Sequence, residues 1–198
     1  IEVTTFRRGH EEERSEQDAR ANQSGRLLRD NVYGSLEEDA KRRDLTINAL
    51  YYDTSSHQLI DQLGGQADVL GRVIRVIGEP AARYREDPVR MLRVVRFAAR
   101  LQFDLDSDTE SAIASVRTLL RDIPPARLFD EWLKLFMNGF SVPTFKLLRR
   151  YELLDPLMGE AITCVREGEP TLDLQQLALA NTDRRIAEGR PVTPAFLL

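Results

Sequence analysis

Two short clusters carry residue types able to hold phosphate and read a base. The first, Arg42, Arg43, Asp44, Thr46 and Asn48, puts two guanidiniums, a carboxylate, a hydroxyl and an amide close together in the chain. Opposed charge at that density is costly to bury, so it faces water or awaits a charged ligand. The second, Glu86, Asp87 and Arg90, opens the stretch EDPVRMLRVVRF. Asp87 and Arg90 lie three residues apart, so on a helix their side chains can converge on one target. A carboxylate accepts and a guanidinium donates. Adenine sets an amino donor beside the N1 acceptor, and cytosine sets its amino group beside N3, whereas guanine and uracil reverse the order. The pair therefore suits A and C over G and U, and alone it leaves ATP and CTP undistinguished.

The elements that must position these groups can be read next. Ile1–Phe6 alternates as a short strand does, and Arg7–Gly25 is charged and aperiodic, hence a loop. Ser35 followed by Glu38 predicts a capping box opening a short helix through Arg43. Ala49–Asp53 and Gln58–Asp61 read as two strands, Gly64 and Gly65 break the chain, and Arg72–Ile77 is a last extended piece. Beyond Pro80 helical periodicity takes over, and a domain boundary is placed near Gly78. Helices are expected over Ala81–Arg85, Pro88–Leu101, Thr109–Leu120, Pro125–Asn138, Val142–Arg150 and Leu172–Glu188. On Pro88–Leu101, Met91, Leu92, Val94, Val95, Ala98 and Ala99 share a packing arc. Arg90, Arg93, Arg96 and Arg100 share the other, with Phe97 among them.

Bulk properties narrow the classes. With 198 residues, 42% of them hydrophobic, the chain can bury a core and form one or two domains. No apolar run reaches spanning length, so a membrane span is not expected, and Ile1–Gln17 lacks a signal-peptide layout. One cysteine, Cys164, excludes an internal disulfide and suits a cytoplasmic protein. His10, His57 and Cys164 cannot make a zinc site of the usual kind. A net charge of −4 argues against a whole-surface nucleic-acid binder and leaves room for a local basic groove.

The two motifs resemble those of the bacterial poly(A) polymerase and tRNA CCA-adding nucleotidyltransferase family, in its class II branch. They stand here as LLRDNVYGSLEEDAKRRDLTIN at Leu27–Asn48 and EDPVRMLRVVRF at Glu86–Phe97, and the resemblance covers nearly the whole chain. It implies an α+β protein. Residues 1–78 would be the C-terminal part of a polymerase-β-like nucleotidyltransferase α/β head, and residues 79–198 an all-helical neck and body for base reading and RNA binding. It casts Asp44 as an active-site carboxylate, with Glu2 a second candidate, and Arg42 and Arg43 as charge facing the triphosphate. Asn48 becomes a polar contact to the nucleotide, while Asp87 and Arg90, helped by Arg93, become the protein template for the incoming base. Nucleotidyl transfer of this kind uses divalent ions held by carboxylates, so Mg²⁺ is implied as cofactor, with ATP and an RNA 3′ end as partners. The family's Gly-Ser or Gly-Gly turn and Asp-x-Asp pair are expected upstream of Ile1. No metal set is then complete within residues 1–198, and those residues alone should be inactive.

The approach to the RRD turn and the pair Tyr51–Tyr52 look like the poly(A)-adding version, so AMP addition from ATP is the first expectation. CCA addition to tRNA and a non-catalytic RNA-binding module of the same fold are the alternatives. The plain structural readings differ. Arg42 and Arg43 would pair with Glu37, Glu38 and Asp39, Asp44 would cap a helix, and Glu2 would be a solvent-facing strand residue. Asp61 with Gly64 and Gly65 resembles the family's D-x-x-G-G junction, where a hinge or an ordinary turn would use the same glycines. Arg127, Glu131 and Lys134 are expected to form a salt-bridge ladder on one helix, with Trp132 in the core and Cys164 a buried, inert thiol. Asp104, Asp106 and Asp108 imitate a metal loop, but a Ca²⁺ loop would need Gly and Glu where Thr109 and Ser115 stand. The segment is expected to be an interhelical loop with Ser107 or Asp108 as N-cap.

Overall fold

The computed structural model describes residues 5–6, 33–158 and 169–194. Glu2, the Ile1–Thr4 part of the expected first strand, the expected Arg7–Gly25 loop and Cys164 lie outside the described residues. The chain divides into two compact units, Ile1–Gly71 and Arg72–Leu198.

In the first unit, helix α1 (Leu36–Arg42) starts at the expected capping box. The Ser35 N–H donates to Glu38 Oε2 at 2.6 Å, and the Glu38 N–H donates to Ser35 Oγ at 3.2 Å. Its acidic first turn and basic last turn both complement the helix dipole. A 3₁₀ turn, Thr46–Asn48, leads into the antiparallel hairpin of β1 (Leu50–Asp53) and β2 (Gln58–Asp61), which pairs Leu50 with Asp61 and Asp53 with Gln58. The Asp53 carboxylate ties the hairpin turn, accepting from the Ser55 N–H at 2.8 Å and the Ser56 hydroxyl at 2.6 Å.

The paired glycines do not simply break the chain. They open a further helix, α2 (Gly65–Gly71), which periodicity does not announce. Asp61 caps it, accepting from the N–H groups of Leu63 (3.2 Å), Gly65 (3.0 Å) and Gln66 (2.8 Å). Gly64 holds φ +77°, and a Cβ on Gly65 would lie 2.3 Å from the Thr46 carbonyl oxygen. The second glycine therefore serves close approach, and beneath it the Thr46 hydroxyl donates to Asp68 at 2.7 Å in the interior.

The second unit begins with β3 (Val73–Ile74), which pairs in parallel with β4 (Asp104–Leu105). Parallel strands need a crossover, and α3 (Pro80–Glu86) with α4 (Val89–Leu101) supplies it. The FDLDSD segment is accordingly part strand rather than plain loop, and the unit is not wholly helical. The cap of α5 (Ser107–Val116) is Asp106, not Ser107 or Asp108. The Thr109 hydroxyl, fully buried, accepts the Val76 N–H at 3.1 Å, while the buried Tyr84 hydroxyl donates to the Thr109 carbonyl at 3.3 Å. Burial pushes the Tyr84 phenol far up, beyond any working pH.

Expected helix Thr109–Leu120 instead breaks at Val116 (φ −130°, ψ 5°) and continues as a 3₁₀ stretch, Arg117–Asp122. Helices α6 (Pro125–Phe136) and α7 (Ser141–Arg150) pack on α4. The short α8 (Asp155–Met158) and the long α9 (Glu169–Ala187) follow. Asp183 of α9 caps α7 from outside, accepting from the Ser141 N–H at 2.8 Å and the Val142 N–H at 3.1 Å. The core is centred on α4: Met91, Leu92, Val94 and Val95 are fully buried, with Ala98 and Ala99 nearly so, as the packing arc predicted, and Val89 joins them. No helix among the described residues is long and apolar enough to cross a membrane.

Two expectations follow from α2. Gly65→Ala should lower stability by about 1–3 kcal/mol in denaturant titration, because its methyl group meets backbone that cannot yield. At Asp61, partial desolvation raises the carboxyl pKa, but the N–H groups of Gln66, Gly65 and Leu63 outweigh it and hold it below the ordinary value. A depressed carboxylate contributes stability above its unfolded pKa of about 3.9, and that stability is lost as pH falls through the lower folded value. Asp61→Asn should therefore flatten the acid limb of a stability–pH curve below about pH 4, leaving its neutral limb uniformly lowered.

Candidate nucleotide and RNA site

The RRD turn is organised by a residue one helical turn earlier. Asp39 is buried, 1% exposed, and its carboxylate holds both arginines. Arg42 donates from Nε to Oδ1 at 2.8 Å, and Arg43 donates to Oδ2 from Nε at 3.1 Å and from Nη2 at 2.9 Å. Tyr51 completes the cluster, its hydroxyl donating to Asp39 Oδ2 at 2.8 Å and accepting from Arg43 Nε at 3.1 Å. Arg43 also donates from Nη1 to the Asn48 carbonyl at 3.1 Å, fixing the 3₁₀ turn that carries Asn48.

A buried carboxylate needs this density of donors to be tolerable. Desolvation lowers the Arg43 pKa, but its bonds to Asp39 and Tyr51 outweigh that and raise it, so its charge is permanent. Two guanidiniums thus share one carboxylate, their side chains 36% and 39% exposed. The plain structural reading of the arginines is thus present in the geometry, through Asp39 and not Glu37 or Glu38, which serve Lys41 and the cap. Asp44 sits half-buried directly after this clamp.

In the second unit the EDPVR motif occupies the joint between α3 and α4, with Asp87 as C-cap of α3 and Pro88 opening α4. Asp87 accepts from the Val89 N–H at 3.2 Å, and its Oδ2 accepts from Arg127 Nη2 of α6 at 2.8 Å. Arg93 Nη2 stands 3.9 Å from the same oxygen. Arg90 is directed back along the chain, donating to the Arg83 carbonyl at 3.1 Å and pairing with Glu86, which also holds Arg83 at 2.9 Å. The structure therefore brings Asp87 together with Arg93 and Arg127, and Arg90 together with Glu86. The arginine side of α4 is half-buried under these pairs, with Arg90 only 15% and Arg96 24% exposed.

The expected ladder on α6 is partly redirected. Lys134 pairs with the buried Glu131 at 2.7 Å, with Arg96 of α4 at 4.0 Å from it, while Arg127 leaves the ladder for Asp87. Trp132 is buried as expected, and Phe129 stacks on it with ring centres 6.1 Å apart. From sequence, Asp39 is only one of three carboxylates for the arginines, and Arg127 only a rung of the α6 ladder; neither is given its part at the site. Asp39 had a signal, because it lies three and four residues before Arg42 and Arg43. Arg127 had none, being 40 residues from its partner.

Residues 1–75 match the family described as "Poly A polymerase head domain", and residues 102–163 match "Probable RNA and SrmB- binding site of polymerase A". Over its full length the chain is 48% identical to the poly(A) polymerase I of Escherichia coli O6:H1, of which it covers 43%. The chain belongs to the poly(A) polymerase and tRNA nucleotidyltransferase family. The chain thus spans less than half the length of that relative. Among solved structures of the family it resembles the Bacillus stearothermophilus CCA-adding enzyme in complex with CTP (36% identity, TM-score 0.61, covering 77% of this chain and 35% of that one). It also resembles a tRNA nucleotidyltransferase complexed with a primer tRNA and an incoming ATP analog (35% identity, TM-score 0.60, 65% and 38%). The fold is that family's polymerase-β-like head followed by its helical region.

Among the described residues no cluster of three or more His, Cys, Asp or Glu side chains is placed to hold a metal ion. Mg²⁺ seeks several oxygen ligands in octahedral array, and Asp44 alone does not make such a site.

The Asp87–Arg127 bond ties α6 to the head of α4. A double-mutant cycle of Asp87→Ala and Arg127→Ala, read by denaturant unfolding, should show a coupling of about 1 kcal/mol. Additivity of the two single losses would mean that the bond holds nothing.

Proposed function

We propose that the protein containing this chain is a template-independent polynucleotide adenylyltransferase, adding AMP from ATP to RNA 3′ ends. The observation that carries the reading is identity of 48% to a poly(A) polymerase across all of these residues. In the reaction the RNA 3′-oxygen attacks the α-phosphorus of ATP, the bond to the β-phosphate oxygen breaks, pyrophosphate leaves, and the hydroxyl proton is released.

Each unit has a role in it. Arg42 and Arg43, made permanent cations by Asp39, neutralise triphosphate charge, with Asn48 a polar contact to the nucleotide. Asp44 is one carboxylate of the active site, and Glu2 is a second candidate. The divalent ion of the reaction, Mg²⁺ in this proposal, needs carboxylates beyond Asp44. Asp87 accepts the amino group of the incoming base and Arg90 donates to its ring nitrogen. Arg93 and Arg127 orient Asp87, since a carboxylate with two lone pairs per oxygen can serve both them and a base. Residues 1–78 form the head part and 79–198 the base-reading and RNA-binding part. The reading places the protein in the cytoplasm, with no membrane partner.

A second reading, CCA addition to tRNA, is favoured by the likeness to the CTP-bound CCA-adding enzyme. The Asp87–Arg90 pair accepts both A and C, so substrate decides between the two. Full-length protein given an RNA with a free 3′ end and all four nucleoside triphosphates should build an oligoadenylate. A tRNA lacking its terminal CCA that is extended by those three nucleotides and no further would establish the second reading. In either case, Asp87→Ala should relax rejection of GTP and UTP in relative kcat/KM. Arg90→Ala should narrow discrimination by about 1–3 kcal/mol, on the scale of a bidentate base contact. Unchanged ratios with only lowered stability would reduce both residues to helix-joint structure.

A further inference from the structure

Away from the α3–α4 joint, the second unit contains a cavity of about 230 Å³ where α4, α6 and α7 meet. Leu135 and Thr144, both buried, form its floor. Phe97 and Phe140, half-buried, give it aromatic walls, and Arg96, Arg100, Lys134 and Asn138 form its rim. That volume lies below the range of about 300–1,000 Å³ typical of drug-sized ligand sites, so it suits one base rather than a whole nucleoside triphosphate.

The rim carries three cations, of which Lys134 and Arg96 lie against the buried carboxylate of Glu131. Arg100 is exposed and makes no ion pair among the described residues, a guanidinium ready for an anion. Aromatic faces beside a cationic rim are the combination that holds single-stranded nucleic acid, the base stacking and the phosphate pairing. Arg100 lies ten residues beyond Arg90 on the same helix, about 15 Å along it, so the cavity is separate from the base-reading corner. The residues of α6 and α7 that line it fall inside the RNA-binding family match.

We propose that this cavity seats one nucleotide of the RNA strand, its base against Phe97 and Phe140 and its phosphate on Arg100. The proposal rests on the polyadenylation reading only in taking RNA as the partner. It is tested on the full-length protein without ATP, using a short fluorescein-labelled oligoadenylate and a salt titration of its binding. Arg100→Glu should weaken binding about tenfold and lower the slope of log K against log salt by about 0.7, the loss of one single-strand phosphate contact. Phe97→Leu, which keeps an apolar side chain, should weaken binding about fivefold and leave the slope alone, as lost stacking does. Arg149→Glu reverses an exposed arginine of α7 outside the cavity lining, and it should bind more tightly than Arg100→Glu.

Equal losses from Arg100→Glu and Arg149→Glu would mean diffuse attraction and overturn the seat. So would a loss of ATP affinity in place of RNA affinity, or displacement of the oligonucleotide by polyglutamate at matching concentration, which would give the cavity to an acidic protein. Oligoadenylate binding that depends on Arg100 and Phe97 in a protein that transfers no AMP would sink the catalytic reading and support the cavity. AMP transfer together with binding indifferent to both residues would do the reverse.

Discussion

The second unit depends on one constraint: α4 must bury its whole apolar side. Val89, Met91, Leu92, Val94 and Val95 have no exposed surface, and Ala98 and Ala99 almost none. Side chains of that size bury about 1.5–3 kcal/mol each, so the helix cannot rotate to relieve its other side. Arg90, Arg93 and Arg96 are thereby held beside the core, where a cation without a partner would be expensive. The neighbouring helices answer with carboxylates: Glu86 for Arg90, Asp87 for Arg93, and Glu131 of α6 for Arg96. Packing thus dictates the electrostatics of this side of the helix.

The same logic appears in the first unit on a smaller scale. Asp39 is the buried carboxylate there, and Arg42, Arg43 and Tyr51 converge on it. In both units a carboxylate is over-supplied with guanidiniums, Asp39 by two and Asp87 by Arg93 and Arg127. A carboxylate gripped from two sides is held rigidly. The sharing fits arginine, whose planar fork can grip a carboxylate on one edge and keep donors on another.

Much of this was legible in the sequence, for local reasons. The capping box at Ser35 and Glu38, the β1–β2 hairpin and the packing arc of α4 all depend on spacings of two to four residues, and the structure follows them. What was missed depends on distance or on exceptions. Helix α2 starts at the second of two glycines, poor helix formers, and exists because Asp61 caps it and because Gly65 alone can lie against the Thr46 carbonyl. β3 lies within the expected extended piece Arg72–Ile77, but its partner β4 lies some thirty residues on and carries no pattern of its own. Arg127 looked like one rung of a ladder on α6, since periodicity describes a helix's own face and not what lies opposite it.

The aromatic cavity extends the argument about α4. Its burial ends where the helix ends: Leu101 is 38% exposed, and Gln102 closes the helix in the left-handed region at φ 55°. Arg100 therefore stands in the last turn, where the helix carbonyls favour a cation, and beyond the carboxylates that answer the earlier arginines. Along a single helix, positive charge passes from paired and half-buried at Arg90 to open at Arg100. A helix graded in this way can hold a base rigidly at one end, where reading demands fixed donors and acceptors. At the other, under the proposed reading, it can bind a strand through stacking and charge, which tolerate any base.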